Sequence, residues 1–381
     1  MPAMLPVPAD GAPRLTGVLP AALASIGGGA GPFDLPAVES AVVVLVDGLG
    51  AHNLRARAGH ARFLAGRMAK RDVIRTVFPS TTAAAIGSFA TGLMPGAHGL
   101  MGFRVPDRAH DRVVNQLSGW DGRMVPEAWQ PHPTVFDHAG ERGVRAVAVG
   151  GTRYATSGFT RAVLRGAEYR AGAKIPDRFA EALRVLDEGP ALVYLYVSEL
   201  DQIAHAHGWE SDRWLAALEV LDAELAAFEQ RMPRGTGLLV TADHGVIDVP
   251  PHRHVFIDAD PALVDGVRHV AGEPRCLGLV LEDGLDDDAR AVLLERWRAA
   301  EGERAWVMSG DEAIAAGLYG DVEPANVDRV ADILVAARAG VAYYDRREPD
   351  RRGEDMVGQH GSLTDEETRI PLVRLGAYAR D

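Results

Sequence analysis

Short, wholly apolar runs alternate along this chain with longer amphipathic ones. Residues 41–46 (AVVVLV), 145–149 (RAVAV), 191–197 (ALVYLYV) and 237–241 (GLLVT) show little or no alternation of polar and apolar positions. Strands read this way when helices cover both faces of a parallel sheet. Residues 212–230 (DRWLAALEVLDAELAAFEQ) carry a helical pattern with Ser211 placed as N-cap, and a second helix is expected over about 82–90. The alternation predicts an α/β fold, a doubly wound, mostly parallel sheet with helices on both faces.

From about residue 250 the texture changes to a Pro-Pro pair, an acidic run at 282–288 (EDGLDDD) and shorter strand candidates at 277–281 and 341–344. This predicts a smaller α+β cap. The expected organisation is a catalytic domain of residues 1–250 and 354–381, with 251–353 inserted as a cap subdomain. A length of 381 residues suits one large domain with such an insertion.

Three of the best strands run into a carboxylate: Asp47-Gly48, then Ser198-Glu199-Leu200-Asp201, then Asp243-His244-Gly245. In open parallel sheets the ligand crevice lies at the carboxyl ends of the strands, so these acids are expected to converge on one edge. A single Asp-Gly after a strand is most simply a turn. Three such acids, two with histidines nearby, point to a metal site. Asp201 and His205 are four residues apart, one helical turn, so both can face one ion, whereas His207 would face elsewhere. Asp243 and His244 are adjacent in a loop that can fold onto one ion. Far downstream, His360 stands between Gly358-Gln359 and Gly361, in a loop suited to delivering a ligand from a distant part of the chain.

The segment 78–92 (FPSTTAAAIGSFATG) places Ser80, Thr81 and Thr82 ahead of a small-residue helix. Alone, this is an ordinary N-cap. Beside metal ligands, a hydroxyl at a helix N-terminus becomes a candidate nucleophile, because free N–H groups and the helix dipole favour an alkoxide or a phosphate there.

Composition narrows the partners. With 47% hydrophobic and 24% charged residues, a wholly disordered, collagenous or coiled-coil protein is excluded. A formal net charge of −13 weighs against a nucleic-acid polymer as partner and leaves attraction of phosphate esters to local cations. Lysine occurs only at Lys70 and Lys174, neither in a GxxxxGK[ST] phosphate loop. Cys276 is the single cysteine, so no internal disulfide forms. The first thirty residues lack a basic and apolar leader pattern, and no run reaches eighteen uninterrupted apolar residues, so a cytoplasmic protein with no membrane partner is expected.

Five pieces, VVVLVDGLG, FPSTTAAAIGSFATGLMPGAHG, YLYVSELDQIAHAHG, TADHG and GQHGSLTDEETRIPLV, occur in order between residues 42 and 373. Together they resemble the alkaline phosphatase superfamily, most closely its nucleotide pyrophosphatase/phosphodiesterase branch. The resemblance implies Thr82 as nucleophile, rather than Ser80 or Thr81. It implies two Zn2+ per chain, or other divalent ions. One would be held by Asp201, His205 and His360 beside the leaving group, the other by Asp47, Asp243 and His244 with Thr82. The family's asparagine after the His-Gly of the TGLxPxxHG stretch is missing from Leu100-Met101-Gly102-Phe103-Arg104, and Asn115 is the candidate to replace it.

The expected function is a two-zinc phosphoryl hydrolase, a phosphodiesterase or nucleotide pyrophosphatase acting on a small-molecule phosphate ester through a covalent phosphothreonine. The alternatives are a phosphonate hydrolase or phosphomonoesterase on the same site, and a metal-binding scaffold that no longer catalyses. Diesters are expected to be preferred, with the second ester group lying against apolar surface under the cap.

Overall fold

The run of valines at residues 42–44 folds as the heart of β1 (Ser40–Val46), and every residue of that strand is buried. In chain order the further strands used below are β2 (Val73–Arg75), β3 (Arg104–Asp107), β4 (Arg112–Asn115), β5 (Ala146–Gly150), β6 (Glu168–Ala171), β7 (Leu192–Val197) and β8 (Thr236–Thr241). They are followed by β9 (Val267–Glu273), β10 (Cys276–Leu281), β11 (Ala305–Ser309), β12 (Ile333–Ala337) and β13 (Arg369–Gly376). The computed structural model describes residues 5–7, 11–348 and 351–380.

The main sheet has the order β2-β13-β8-β1-β7-β5-β6. β1 pairs in parallel with β8 on one side and β7 on the other, and β5 continues the parallel run to β6. Only β13 runs antiparallel, between β8 and β2. The three acid-bearing strands predicted from apolar pattern are therefore the three central neighbours β8-β1-β7. Their register pairs Leu45 with Thr241 and Val46 with Val197, so the chain leaves all three at one level. Because β13 is reversed, its amino-terminal end, and the loop of residues 360–368 leading into it, lie at that same edge.

The expected helix at about 82–90 is α1 (Thr82–Thr91), terminated by Gly92 in the left-handed conformation. Helix α2 (Glu199–His207) follows β7 directly. Helix α3 (Asp212–Arg231) starts at Ser211, whose hydroxyl accepts from the Trp214 N–H as an N-cap does. Its Trp214, Leu218, Leu221, Leu225 and Phe228 recur at helical spacing and are all buried in the main core.

A second sheet, β9-β10-β12-β11, is antiparallel throughout and carries α4 (Asp287–Glu301). It forms the smaller α+β cap. Leu277, Leu279, Val335 and Trp297 fill the core on its helix side, while Cys276, Val280, Leu334 and Ala336 join Phe78, Met101 and Val105 in a second cluster between the cap and the main domain. The alternation of those side chains along β10 is what lets one strand bury both faces. No helix among the described residues is long and apolar enough to cross a membrane.

Candidate metal centre and nucleophile

Asp47 follows β1, Asp243 follows β8, and Asp201 sits in the first turn of α2 after β7. Gly48 lets the first two approach: it holds a φ of +73°, its N–H donates to Asp243 Oδ1 at 3.1 Å, and a Cβ there would stand 3.1 Å from Asp201. All three aspartates are buried. One oxygen of each, Asp47 Oδ1, Asp201 Oδ1 and Asp243 Oδ2, has no hydrogen-bond partner. Orphaned buried carboxylate oxygens carry a large desolvation cost unless a cation meets them.

Three imidazoles face these carboxylates in a common way. His205 Nδ1 donates to the Gly358 carbonyl at 2.8 Å, His360 Nδ1 to the Ser80 carbonyl at 2.9 Å, and His244 Nδ1 to the Gly245 carbonyl at 3.2 Å. A carbonyl only accepts, so each Nδ1 carries a proton and each ring turns its Nε2 toward the centre, where the neutral form offers a lone pair. His205 Nε2 lies 3.0 Å from Asp201 Oδ2 and His360 Nε2 3.8 Å from Asp201 Oδ1. His244 Nε2 lies 3.4 Å from Asp47 Oδ1, 3.5 Å from Asp243 Oδ2 and 3.2 Å from Thr82 Oγ1. The rings of His244 and His360 stack at 3.7 Å, which ties the two halves of the cluster together.

Two groups of side chains here are spaced to hold a metal ion: Asp201, His205 and His360, and Asp47, Asp201 and His244. The first is the triad expected from the sequence. The second shows Asp201 standing between both halves, with Asp243 beside them through its unpaired Oδ2. His207, expected to face away, does so and meets the exposed Arg213.

Electrostatics follow from this crowding. Burial, then the carboxylates of Asp243 and Asp201, push Asp47 well above the usual carboxylate range. Burial also raises Asp243. Burial raises Asp201, but the charged form of His205 beside it, followed by His360 and His244, outweighs that and holds it low, and Asp201 in return raises His205 against its own burial. Burial, followed by neighbouring His244, drives His360 well below the ordinary histidine range, so it stays neutral. A site in which buried acids repel one another beside a neutral His360 is one that a cation relieves.

Thr82 is the first residue of α1, and no side chain caps that helix. Its hydroxyl therefore sits at a free helix N-terminus, beside the Nε2 of His244 and opening onto a cavity of about 1210 Å³. Ser80 is placed differently. Its hydroxyl donates to the Ser362 carbonyl at 2.7 Å and accepts from the Gly361 N–H, so it clasps the His360 loop. Asn115 lines the cavity, but its Oδ1 accepts from the Leu117 and Ser118 N–H groups, so only its Nδ2 is left to face a ligand.

Two further site residues escaped the sequence reading. Tyr196 on β7 donates its hydroxyl to Asp47 Oδ2. Glu273, the last residue of β9 in the cap, is buried and brings Oε2 within 3.6 Å of His360 Nδ1. Glu273 does end a strand, as Asp47 and Asp243 come within two residues of the ends of theirs, and that was the available signal. Its strand belongs to the cap, and nothing local says that the cap folds onto this edge.

The model of the type I phosphodiesterase/nucleotide pyrophosphatase family matches residues 41–363. The chain belongs to that family. Its structural neighbours include murine ectonucleotide pyrophosphatase/phosphodiesterase 5, with 17% identity, 87% of each chain covered and a TM-score of 0.67. The human protein of the same name gives 15% identity over 90% of each chain and a TM-score of 0.66. An inactive threonine-to-alanine variant of the murine protein, in complex with AMP, aligns over 89% of this chain and 88% of that one, at 16% identity and a TM-score of 0.67. These likenesses establish the alkaline phosphatase-like fold. Phosphopentomutases of Rhizobium meliloti (strain 1021) and Agrobacterium fabrum (strain C58) are 32% and 31% identical over 117 residues. Each match takes in 30% of this chain and 27% of the relative, so the shared part spans about a quarter of those relatives.

Proposed function

We propose that this family member is a two-zinc phosphodiesterase with Thr82 as nucleophile. The observation that carries the reading is the shared orientation of His205, His244 and His360: Nδ1 pinned to a backbone carbonyl and Nε2 aimed at the carboxylates of Asp47, Asp201 and Asp243, each of which keeps one oxygen without a hydrogen-bond partner. Backbone-pinned imidazoles of fixed tautomer are how metal-ligating histidines are oriented. Asp201, His205 and His360 would hold one ion, and Asp47, Asp243 and His244 the other. When bound, the ions would supply Lewis-acid polarisation of the phosphoryl oxygens and charge stabilisation at the entering and leaving oxygens.

The chain's own groups account for the rest. Thr82 Oγ1 attacks phosphorus, the bond from phosphorus to the leaving alcohol oxygen breaks, and water then cleaves the phosphothreonine to restore the hydroxyl. The free amino-terminal N–H groups of α1 face the phosphoryl oxygens. Tyr196 holds Asp47 in place from β7.

The cavity suits an ester with a second organic group. The apolar wall expected under the cap comes instead mainly from the main domain. Ile86 lies one turn after Thr82 on α1, and Phe103, Trp120, Phe159 and Val163 line the same space. The polar groups there are engaged with protein: Tyr169 OH donates to the Gly151 carbonyl, Trp120 Nε1 to Gln116, and Thr160 Oγ1 to Tyr154. An apolar or aryl ester group would bury area there at about 25 cal/mol per Å² without stranding a polar partner. The test is a panel of nitrophenyl monoester, diester and phosphonate substrates on zinc-loaded protein. Turnover of the diester above the other two is expected, and no turnover of any of them would refute the reading.

A further inference from the structure

The cap enters the site at the tip of one hairpin. β9 ends at Glu273 and β10 begins at Cys276, so Arg275 lies in the two-residue turn between them, fully buried. All five of its N–H donors are engaged. Nε and one Nη2 donor meet Glu367 Oε1 and Oε2 at 3.2 and 2.7 Å, the other Nη2 donor meets the Ala337 carbonyl, and Nη1 meets the carbonyls of Ala339 and Val341. Glu367, equally buried, is filled in return, since Oε1 also accepts from the Ser362 N–H at 3.0 Å and Oε2 from Thr364 Oγ1 at 2.6 Å.

From Ser362 the connection runs to the candidate centre. Ser362 accepts from Ser80 Oγ at 2.7 Å, Ser80 exchanges backbone and side-chain bonds with Gly361, and the Ser80 carbonyl takes the Nδ1 proton of His360. Gly361 is tight against the cap, because a Cβ at its φ of +127° would stand 2.5 Å from the Glu273 carboxyl carbon.

We propose that Arg275, Glu367 and Ser80 are positioning residues. Together they form a buried strut through which the cap fixes the His360 loop against the segment leading to Thr82, and so sets the ligand geometry on the His360 side of the site. This rests on the reading of Asp201, His205 and His360 as a metal triad. A buried ion pair adds little stability over apolar packing of the same volume, so stability alone does not account for it. Direction does: every link is a bond between atoms that must be aligned, and it ends on the nitrogen that sets the tautomer of His360.

The experiment measures zinc affinity by chelator competition, together with Tm of the chelated protein, for wild type, Ser80→Ala and the double variant Arg275→Met/Glu367→Leu. Removing both charges avoids leaving one of them buried alone. Affinity at one of two sites is expected to fall about 10- to 100-fold in both variants, with the second site unchanged and the Tm of chelated Ser80→Ala close to wild type. Glu367→Gln, which keeps the acceptor for Ser362, should lose less than Glu367→Ala. If the double variant does not fold, Ser80→Ala decides by the same readout. Two zinc ions bound with wild-type affinity in Ser80→Ala overturns the strut while leaving the metal reading intact. No zinc uptake by wild type overturns both.

Discussion

Thr82 Oγ1 lies 3.2 Å from His244 Nε2, the same nitrogen that stands within 3.5 Å of unpaired oxygens of Asp47 and Asp243. A hydroxyl, an imidazole lone pair and two carboxylates thus converge on one point at a helix start. Thr82→Ala should keep the fold, since an N-terminal hydroxyl is worth about 1 kcal/mol to a helix. It should lose turnover by about a thousandfold or more, the scale seen when a nucleophile is removed. Thr82→Ser should keep part of the rate. Kinetics on the three single variants Thr82→Ala, Thr82→Ser and Thr81→Ala check this, and an inactive Thr81→Ala beside a near-normal Thr82→Ala would move the nucleophile.

Zinc reconstitution followed by elemental analysis should find two ions per chain. Asp243→Asn should reduce that count, because Asp243 Oδ2 and Asp47 Oδ1 would no longer form a charged pair of oxygens around His244 Nε2. Uptake should also weaken as the pH falls, because Asp47 and Asp243, both raised by burial, take up protons early on acidification. Titration with a chelator at two pH values measures it.

Diesters should exceed the matching monoesters in kcat/KM by about tenfold or more, roughly 1.4 kcal/mol of transition-state discrimination. A monoester dianion carries an extra charged oxygen that a free guanidinium fork would meet. Arg104, Arg153 and Arg351 line the cavity, yet Arg104 pairs with Glu348 at 3.2 Å, Arg351 with Glu354 at 2.6 Å, and Arg153 lies over the Tyr154 ring. Equal or inverted rates, with Arg104→Ala losing the monoester reaction alone, would reassign the enzyme as a phosphomonoesterase.

His98, in the TGLMPGAHG stretch, is buried, accepts from the Leu100 N–H through Nδ1 and meets Ser88 Oγ through Nε2. Burial, with a smaller contribution from His132, lowers its pKa from 6.5 to about 3. The unfolded chain therefore binds a proton that the folded chain refuses between those values, so stability falls on acidification across that window. The wild-type slope should exceed that of His98→Gln by up to about 1.4 kcal/mol per pH unit. Urea unfolding of chelated protein at pH 6.5 and 4.5 compares the two, and identical slopes would refute the assignment.

The strands at 41–46 and 237–241, the helix at Ser211 and the acids after β1, β7 and β8 were legible in the sequence, because each depends on neighbours along the chain: apolar runs for a covered sheet, a hydroxyl for a cap, a carboxylate where a strand stops. Asp201 and His205 were paired by helical spacing alone, and His360 and Thr82 joined them through motif resemblance. Tertiary structure alone decided which strands are neighbours, and so that Asp201 stands between both halves of the cluster. It also decided that Ser80 gives its hydroxyl to the Ser362 carbonyl and clasps the His360 loop, and that Asn115 spends its oxygen on its own turn. Tyr196, Glu273 and the pair Arg275 and Glu367 became visible only there. Their partners lie 149, 87 and 92 residues away by the differences of their numbers, and no local pattern encodes which distant backbone a side chain will meet once the cap closes on the sheet edge.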